Sequence, residues 1–550
     1  MQIPAVGRQT EIARLRAAVL ATAAGASRVV LLRGPAGIGK TWLAERAAEL
    51  AVAAGLRVAR GAAIDTAGMP PLLPWRQVAR AVPGMDDALR TITEPGKTVA
   101  ARRFRMCVEV AAALRAATED AGSAVILEDL HWADSCSLEL LTHLVTTSPS
   151  DNVLFVGTTR EPAGNALLAE LPEWLSLPHV ECLSLSAFSE SEVGGWLEQC
   201  GYRAGLSARV HARTGGDPLL LGLVTTSLED RSRLDGPGLS DARPARDITV
   251  RDLVLARRQR LTPTDSALLS AASVLGERID AEILAHLTAI PTTRVQRMIT
   301  AAIEAGLVRE FEDGTAGFRH ALVRDAVYAA LTAAHRAALH RRAAETLAER
   351  GGPDTELAGV IATHWHACGT LTPVALAWFR RAAHAARAMA AATTAIRFGE
   401  WALEAAATAD EATRASLLIE LARDEFDAGW TATSLDHSVA AATLAEQAAR
   451  PDLFAEAALV VHDVTTPTVL TQLDHLRATA LRHLNPHHHP DLVARLRARH
   501  EPLRPHPTDE PDRARDHSTA TEALAHALAE IAADEPGAAV RPPRPRMDFG

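Results

Sequence analysis

Lysine is nearly absent from this sequence. Only Lys40 and Lys97 are lysines among its 57 basic residues, and the others are arginines. Aromatic residues are also scarce, at 4%, whereas alanine is abundant, a bias that favours helices over strands. The formal net charge is −10, so the chain lacks the overall positive field that drives nonspecific binding to nucleic acids. A DNA-binding unit would therefore have to be local.

Paired cysteines and long apolar runs are missing as well. The 5 cysteines are odd in number and contain no C-x-x-C pair, so neither a disulfide framework nor a zinc site is indicated. No run reaches about 18 uninterrupted apolar residues, and the N-terminus lacks the pattern of a secretory signal. We expect a cytoplasmic protein without a membrane segment. Its 550 residues exceed what one core supports and predict three to four units of about 150 residues each.

The most specific motif of the chain follows an apolar run at residues 29–32. The pattern G-x-x-x-x-G-K-[ST] is met from Gly34 to Thr41, and its glycines allow backbone N–H groups to approach phosphate oxygens. Lys40 is predicted to reach the β- and γ-phosphates, and the Thr41 hydroxyl to ligate Mg²⁺. The predicted nucleotide-binding residues of this loop are Gly34, Pro35, Ala36, Gly37, Ile38, Gly39, Lys40, Thr41 and Trp42.

Two carboxylates follow a second apolar run, at residues 124–127. Glu128 and Asp129 would stand at the carboxyl end of a buried strand, which in a parallel sheet faces the phosphate crevice. Glu128 is expected to hold Mg²⁺ through water and Asp129 to position the attacking water, with Lys40 neutralising phosphate charge. The sequence leaves open which carboxylate has which role, and two acids that only cap an exposed strand end are the alternative.

Two further candidates lie downstream. Arg160 ends a predicted strand at residues 153–160, where it either senses the γ-phosphate or belongs to the solvated surface with the other arginines. The stretch from Thr214 to Leu219 is predicted to be a helix junction, in which Pro218 occupies the first turn of the next helix.

Local patterns give three more predictions of secondary structure. Three prolines at residues 69–75 predict a loop. Asp134 and Ser135 are predicted to cap a helix that starts near Ser137. Residues 166–230 are expected to be helical with turns.

Taken together, these motifs resemble the signal-transduction ATPases with numerous domains. The resemblance rests on VGRQTEIARL at the start, GPAGIGKT, PLLPWRQ, VILEDLHWAD, FVGTTR and ARTGGDPLLL, and it covers about the first two-thirds of the chain. More narrowly, LEDLHWAD and FRHALVRDAVY are similar to the large ATP-binding regulators of the LuxR type. The resemblance implies that ATP is bound with Mg²⁺ and hydrolysed slowly, and that Pro218 packs near the nucleotide base.

The expected fold is an α/β P-loop nucleotide-binding domain, then an all-α lid, a winged-helix domain, tetratricopeptide-like α-helical repeats and a disordered tail. The winged helix is predicted from four helices between residues 249 and 305 and a hairpin at Asp313-Gly314. Glu310, Glu312 and Asp313 would repel phosphates from its wing. The expected boundaries are 1–165 for the ATPase domain, 166–240 for the lid, 246–335 for the winged helix, 336–482 for the repeats and 483–550 for the mostly disordered tail.

The resemblance also implies that the winged helix packs on the ATPase domain and holds it shut. It places His320 near the ADP phosphate, although a buried histidine that is merely hydrogen-bonded remains an alternative. Helix pairs at residues 373–406 and 411–449 recur at a spacing of about 40 residues, as in tetratricopeptide-like repeats, or else form an ordinary helical domain.

From Asn485 onward the sequence is rich in proline, histidine and arginine, and disorder is predicted with one helical island at residues 521–533. The run His487 to His489 either binds a metal or, as its flanking prolines favour, is incidental polarity.

The expected partners are a nucleotide, a small-molecule or protein inducer on the helical repeats, and further copies of the chain in a nucleotide-dependent oligomer. DNA is expected only if a C-terminal domain is missing. The function predicted is a nucleotide-controlled transcription regulator without its DNA-binding end. A free-standing ATPase that acts through protein partners and an origin or loader-like motor are the alternatives.

Overall fold

The computed structural model describes residues 6–64, 69–94, 99–118, 121–147, 151–160, 173–202, 204–227, 249–311, 314–351, 357–462, 464 and 467–500. The chain consists of two units, Met1–Val464 and Thr465–Gly550. No helix within the described ranges is long and apolar enough to span a membrane.

A five-stranded parallel sheet forms the centre of the N-terminal α/β domain. Its strand order is β2-β3-β4-β1-β5, and every neighbouring pair is parallel. The strands are β1 (Arg28–Arg33), β2 (Arg57–Ala62), β3 (Ser123–Glu128), β4 (Val153–Thr159) and β5 (Val180–Ser184). The helices are α1 (Gln9–Ala23), α2 (Lys40–Ala53), α3 (Leu73–Ala79), α4 (Met85–Arg90), α5 (Val99–Ala117) and α6 (Ser135–Thr147), with short 3₁₀ turns at Thr91–Thr93 and Leu130–Trp132.

Both faces of this sheet are buried by helices. Successive residues of a strand point to opposite faces, so Val29 packs with Trp75 of α3 in one core, and Val30 packs with Leu43 of α2 in the other. The loops that follow the strands therefore meet at the carboxyl edge of the sheet, where ligands of parallel α/β sheets bind.

Strand β5 shows that the prediction of a purely helical segment at residues 166–230 is wrong. It pairs in parallel with β1, with Val180 opposite Val29. Most of its side chains are only half-buried, because it lies at the sheet edge, and it therefore lacks the continuous apolar run that marks the central strands. The sheet extends beyond residue 165, the expected end of the ATPase domain.

Two predicted boundaries in the α/β domain also need correction. Helix α3 begins at Leu73, inside the predicted loop, because Pro74 stands in the first turn, where no backbone N–H is needed. Helix α6 begins at Ser135 instead of near Ser137. Asp134 accepts the Ser137 N–H at 3.0 Å, as a capping residue does.

The next helices are short, and the small sheet that follows them is antiparallel. The helices that follow β5 are Glu190–Gln199, Ser207–Thr214 and Pro218–Ser227, with a 3₁₀ turn at Ala204–Leu206. From residue 249 the helices are Val250–Arg258, Pro263–Leu275, Ala281–Thr288, Thr292–Glu304 and Ala321–Ala329. The strands β6 (Arg278–Ile279), β7 (Val308–Glu310) and β8 (Ala316–Phe318) are ordered β6-β8-β7.

Strands β7 and β8 form the predicted hairpin, with Glu310 opposite Ala316. Glu312 and Asp313 lie outside the described residues, so the acidic wing is not described beyond Glu310. Strand β6 was not predicted, because its two residues are too few to form a pattern.

The remaining helices of the first unit pack consecutively against one another. They are Ala333–Gly351, Ala358–Ala367, Pro373–Ala388, Ala392–Ala405, Glu411–Asp427, Thr431–Gln447 and Pro451–Ala458. Ala395, Ala422 and Ala441 are fully buried. Their small side chains allow the close approach of neighbouring helices that the alanine-rich sequence predicts.

The second unit contains the helices Pro467–His483 and Pro490–His500. The second of these corrects the prediction of disorder from Asn485. Pro490 begins it, and Val493 and Leu496 are buried, so a short apolar stripe stabilises a helix within a polar stretch. The predicted island at residues 521–533 lies outside the described residues, and among those described no cluster of residues is placed to hold a metal ion.

Candidate functional site

The glycine-rich loop joins β1 to α2 at the carboxyl edge of the sheet. Gly37 and Gly39 have φ angles of 87° and 100°, in the left-handed region that favours glycine. A Cβ on Gly37 would lie 3.1 Å from the Cβ of Leu219, so the loop touches the start of the helix Pro218–Ser227. Behind the loop, the partly buried Trp42 packs against the core.

Lys40 is folded back into this loop. Its Nζ donates to the carbonyl oxygens of Gly34 and Pro35, both at 2.8 Å, and the residue is 7% exposed. Burial lowers the pKa of Lys40 to about 8, with the charge of Asp129 opposing this shift and that of Arg160 adding to it. The ammonium therefore remains largely charged at neutral pH and faces the backbone that would surround a phosphate.

The two acids lie next to the loop. Burial raises the pKa of Glu128 to about 7, and the hydrogen bond with the Thr41 side chain opposes this rise. Asp129 has a left-handed backbone, with φ 55°, and its N–H donates to Thr158 Oγ1 at 2.8 Å. The bonded Thr41 and Glu128 side chains supply oxygen ligands of the kind that Mg²⁺ prefers, so the residues present fit such an ion.

Arg160 follows β4 and belongs to the same edge. Its guanidinium carbon lies 4.5 Å from the centroid of the Trp132 ring, a cation–π contact. Burial is the main cause of the lowered pKa of Lys40, and the charge of Asp129 opposes it. The charge of Arg160 lowers this pKa further. The structure thus brings the predicted residues Lys40, Glu128, Asp129 and Arg160 to one edge of the sheet.

His131 was not predicted to belong to the site. Burial, followed by the charges of Arg160 and Lys40, lowers its pKa to about 4. Both ring nitrogens are buried, no described residue forms a hydrogen bond with either, and Nδ1 lies 3.8 Å from Asp129 Oδ1. The available signal was its place in LEDLHWAD, a motif in which only the two acids were assigned a role.

The junction that contains Pro218 is fixed by its glycine. The Phe188 N–H donates to the Gly216 carbonyl at 2.9 Å, and a Cβ on Gly216 would lie 2.0 Å from the Phe188 carbonyl oxygen, so no larger residue fits. Asp217 accepts the N–H groups of Leu219 and Leu220 at 2.8 and 3.0 Å, which caps the helix that Pro218 begins.

Arg8, also not predicted, ties the N-terminus to the loop. It is 5% exposed and donates to the carbonyls of Ile38 at 3.1 Å and Ser186 at 2.8 Å. Its guanidinium carbon lies 4.9 Å from the Phe188 ring centroid. The sequence signal was VGRQTEIARL, which contributes to the family resemblance without assigning a role to Arg8.

Residues of the small antiparallel sheet and its neighbours reach the same site. His320 caps the helix Ala321–Ala329, where its Nδ1 accepts the Leu322 N–H at 3.1 Å. Burial lowers the pKa of His320 to about 4, and the charges of Arg160 and Lys40 add to this effect. The imidazole is therefore neutral at pH 7 and close to the two cations.

Two more groups of residues 249–331 face the α/β domain. Burial raises the pKa of Glu277, and the charge of Asp129 raises it further. Arg309 Nη1 lies 3.7 Å from Glu45 Oε1 on α2. This region therefore approaches both the second acid and the helix that follows the loop.

The helices from Ala333 to Ala458, here called the helical region, contact the α/β domain around residues 386–395, and the turn at residues 389–391 lies within this contact. The Ala390 carbonyl accepts hydrogen bonds from Arg103 Nε at 3.2 Å and Nη2 at 2.5 Å, and the Cys136 thiol lies 3.6 Å from it. Ala390 and Ala391 are buried in the same apolar core as Trp75. A single hydrophobic cluster thus spans the two regions.

A comparison with known families identifies part of the chain. Residues 4–156 match the family model described as the AAA ATPase domain. The chain therefore carries an AAA-type P-loop domain on its parallel α/β sheet, followed by a largely helical region. An uncharacterized protein of Rhizobium meliloti (strain 1021) is 26% identical over 326 residues, which are 56% of this chain and 30% of that protein. The chain spans less than a third of the length of this curated relative.

Similar solved structures share little sequence with this chain. A Signal Transduction ATPase with Numerous Domains (STAND) protein with a tetratricopeptide repeat sensor, from Pyrococcus horikoshii, is 15% identical, with a TM-score of 0.47 over 90% of this chain and 72% of that one. The ORC1 protein of Aeropyrum pernix, solved in complex with DNA, is 18% identical, with a TM-score of 0.28 over 60% of this chain and 94% of that one. RuvB of Thermotoga maritima is 14% identical, with a TM-score of 0.27 over 57% of this chain and 93% of that one.

Proposed function

We propose that this chain is a STAND-type signal-transduction switch that binds ATP, hydrolyses it slowly and changes its domain contacts with the nucleotide state. The observation that supports this proposal most is that the region after residue 249 contacts the helix that follows the loop, where Arg309 Nη1 lies 3.7 Å from Glu45 Oε1. The electrostatic influence of Lys40 on His320 agrees with this contact. A phosphate bound beside Lys40 would interact with both regions. A ligand with such differential contacts shifts the population of two arrangements.

Each residue of the edge has a proposed role. The loop from Gly34 to Thr41 binds the phosphates, and Lys40 neutralises their charge. Thr41 and Glu128 would hold Mg²⁺, which would supply positive charge beside the phosphates. Asp129 positions the attacking water, and Arg160 senses the γ-phosphate. Pro218, at the helix that touches Gly37, is proposed to pack on the nucleotide base.

The regions after the sheet have proposed identities too. We assign residues 246–335 to a winged helix, and its short helices and three-stranded antiparallel sheet β6-β8-β7 support this assignment. The paired helices from residue 336 are assigned to a tetratricopeptide-like sensor that binds the inducer. Their contact with the α/β domain at Ala390 is proposed to hold the ADP form closed.

The nucleotide site is tested by Lys40→Ala. This variant should lose ATP and ADP binding, measured by isothermal titration calorimetry, because the cation that faces the loop carbonyls is removed. Lys97→Ala, at the only other lysine in the sequence, serves as the matched control and should bind nucleotide normally. Normal affinity in Lys40→Ala would contradict the assignment of the loop.

The proposed output is regulation of transcription, and the similarity of LEDLHWAD and FRHALVRDAVY to the LuxR-type regulators supports it. Deleting the gene should change the abundance of a defined set of transcripts, measured by RNA sequencing. Complementation with the intact gene should restore them, whereas the Lys40→Ala gene should not. An unchanged transcript profile would favour an ATPase that acts only through protein partners.

A further inference from the structure

A cleft of about 380 Å³ separates the α/β domain from the helix Ala392–Ala405. It lies beside the Ala390 turn, and its volume falls in the range of sites for small organic molecules, about 300–1,000 Å³. Leu73, Pro74 and Trp132 line it from the α/β side, and Thr394 and Arg397 line it from the helical side.

Arg397 is the cation of this cleft, and Glu400 on the same helix is the acid whose charge acts on it. Among the described residues no carboxylate lies within ion-pair distance of its guanidinium, and its buried Nε has no hydrogen-bond acceptor. Its guanidinium carbon lies 5.6 and 6.0 Å from the ring centroids of Phe398 and Trp401, distances at which a cation–π contact is weak. Burial lowers the pKa of Arg397, which remains charged all the same.

Asp134, the acid that lines the cleft, is already engaged. Its carboxylate accepts the N–H of Leu72 at 3.1 Å, and the N–H and hydroxyl of Ser137 at 3.0 and 2.6 Å. It is therefore committed to holding α3 and α6. A half-buried guanidinium whose nearby acid, Glu400, forms no ion pair with it is unfavourable, and an anion beside it would offset the lost hydration.

The opposite wall is apolar except for Asp134 and Ser135. Leu73, Pro74 and the Trp132 ring present carbon surface, and the hydroxyls of Ser135 and Thr393 lie 3.5 Å apart across the cleft. We propose that the cleft binds a small organic anion whose apolar body packs on Trp132 and whose carboxylate or phosphate group pairs with Arg397. The planar guanidinium suits the paired oxygens of either group.

The ligand would also act on the nucleotide site, a step that rests on the proposed function. Trp132 lines the cleft and forms the cation–π contact with Arg160, whose charge in turn affects Lys40. A ligand packed on Trp132 therefore changes the surroundings of Arg160. Because the cleft is bounded by both regions, its occupancy also stabilises or loosens their contact.

The test uses the full chain and matched pairs of acids and amides: benzoate with benzamide, and indole-3-acetate with indole-3-acetamide, together with phenyl phosphate. Binding is detected by saturation-transfer NMR and quantified by calorimetry. At least one anion should bind with a Kd of about 1 mM or tighter, and its amide should bind more weakly. Benzoate and phenyl phosphate distinguish the carboxylate from the phosphate source. No anion binding, or equal binding of the amides, would overturn the proposal.

Variants locate the site. Arg397→Gln should weaken anion binding about tenfold or more, because a charged hydrogen-bond donor is lost. Thr394→Trp fills the cleft and leaves the charge of Arg397 in place, and it should also weaken anion binding. If Arg397→Gln does not fold, Thr394→Trp tests the location of the site by itself. Arg381→Gln is the matched control, since Arg381 stacks on Trp378 outside the cleft lining, and should bind like the wild type. Equal anion affinity in all three variants would refute the location.

Lys40→Ala separates this proposal from the nucleotide proposal. It should bind the anion normally while failing to bind ADP. The coupling is measured as ADP release with and without saturating anion, and an unchanged release rate would overturn that step. If the wild type does not bind ADP, the proposed function is contradicted, whereas the proposal of an anion site is still tested by the anion-binding measurements.

Discussion

Arg103 of the α/β domain donates hydrogen bonds to the Ala390 turn of the helical region. Arg103→Ala removes the two N–H groups that share the Ala390 carbonyl, and also the ion pair with Glu139 at 2.8 Å. Because both N–H groups use one acceptor, they count as a single charged hydrogen bond, worth about 1.5–3 kcal/mol. The docking equilibrium should therefore shift about 10- to 150-fold towards separation. Water can hydrate the freed carbonyl, so we expect the lower end of this range.

Two assays report on this shift. The amides of Ala390 and Ala391 bond to the carbonyls of Arg387 and Ala386, and their hydrogen exchange should accelerate when the turn detaches. In the proposed switch, release of a fluorescent ADP analogue should accelerate as well. Arg105→Ala is the control, because Arg105 on the same helix pairs with Glu94 and Glu109 inside the α/β domain. Unchanged hydrogen exchange in Arg103→Ala, or equal acceleration in both variants, would show that Arg103 does not hold the Ala390 turn on the α/β domain.

Three further predictions concern titration and buried charge. ATP hydrolysis should rise as the pH increases through about 7, the pKa of Glu128, because only the ionised carboxylate holds Mg²⁺; Glu128→Gln should abolish this rise while ATP still binds. Burial lowers the pKa of His340 to about 4 and of His364 to about 3, so the folded state stays neutral while the unfolded state gains protons below about 6.5. The free energy of unfolding should fall as the pH drops from 6.5 to about 4, and His364→Asn should remove about 1.4 kcal/mol per pH unit of this slope. Arg387→Ala leaves Asp424, 1% exposed, without its partner at 2.6 Å and should cost about 3–5 kcal/mol in denaturant unfolding.

Each of these has a result that would contradict it. A rate of ATP hydrolysis by the wild type that does not change with pH would contradict the role of Glu128. If His364→Asn leaves the pH dependence of the free energy of unfolding unchanged, His364 is not a buried neutral histidine. Arg380→Ala is the control for the buried pair, since Arg380 is 48% exposed, with Glu420 as its partner, and should cost less than about 1 kcal/mol. A cost of Arg387→Ala no larger than that of Arg380→Ala would show that Asp424 is not held as a buried charge.

The α/β core was predictable because its signals are local. The loop at Gly34, the acids at Glu128 and the apolar runs of the central strands each occupy a few consecutive residues with a clear physical reason. Strand β5 was not predicted, because an edge strand is half-exposed and lacks such a run. Helix Pro490–His500 was not predicted, because the prediction of disorder depends on composition, whereas two buried residues suffice to order one helix.

The long-range part of the site could not be predicted. Arg8 donates to a carbonyl 178 positions away at Ser186, and nothing in its own neighbours indicates that contact. For His320, only the family resemblance indicates a place near the nucleotide phosphate, and no local pattern links it to Lys40. Arginines carry nearly all of the positive charge of this sequence, so no sequence pattern distinguishes the partly buried Arg397 from the exposed arginines.

Whether the chain is a nucleotide-controlled switch is decided by measuring nucleotide turnover together with nucleotide retention in the purified full chain. We expect that ATP is hydrolysed slowly and that ADP release is slower than hydrolysis, so ADP remains bound during gel filtration. Lys40→Ala should show neither hydrolysis nor bound ADP. Rapid turnover that DNA stimulates, with no retained ADP, would contradict the switch and favour a motor.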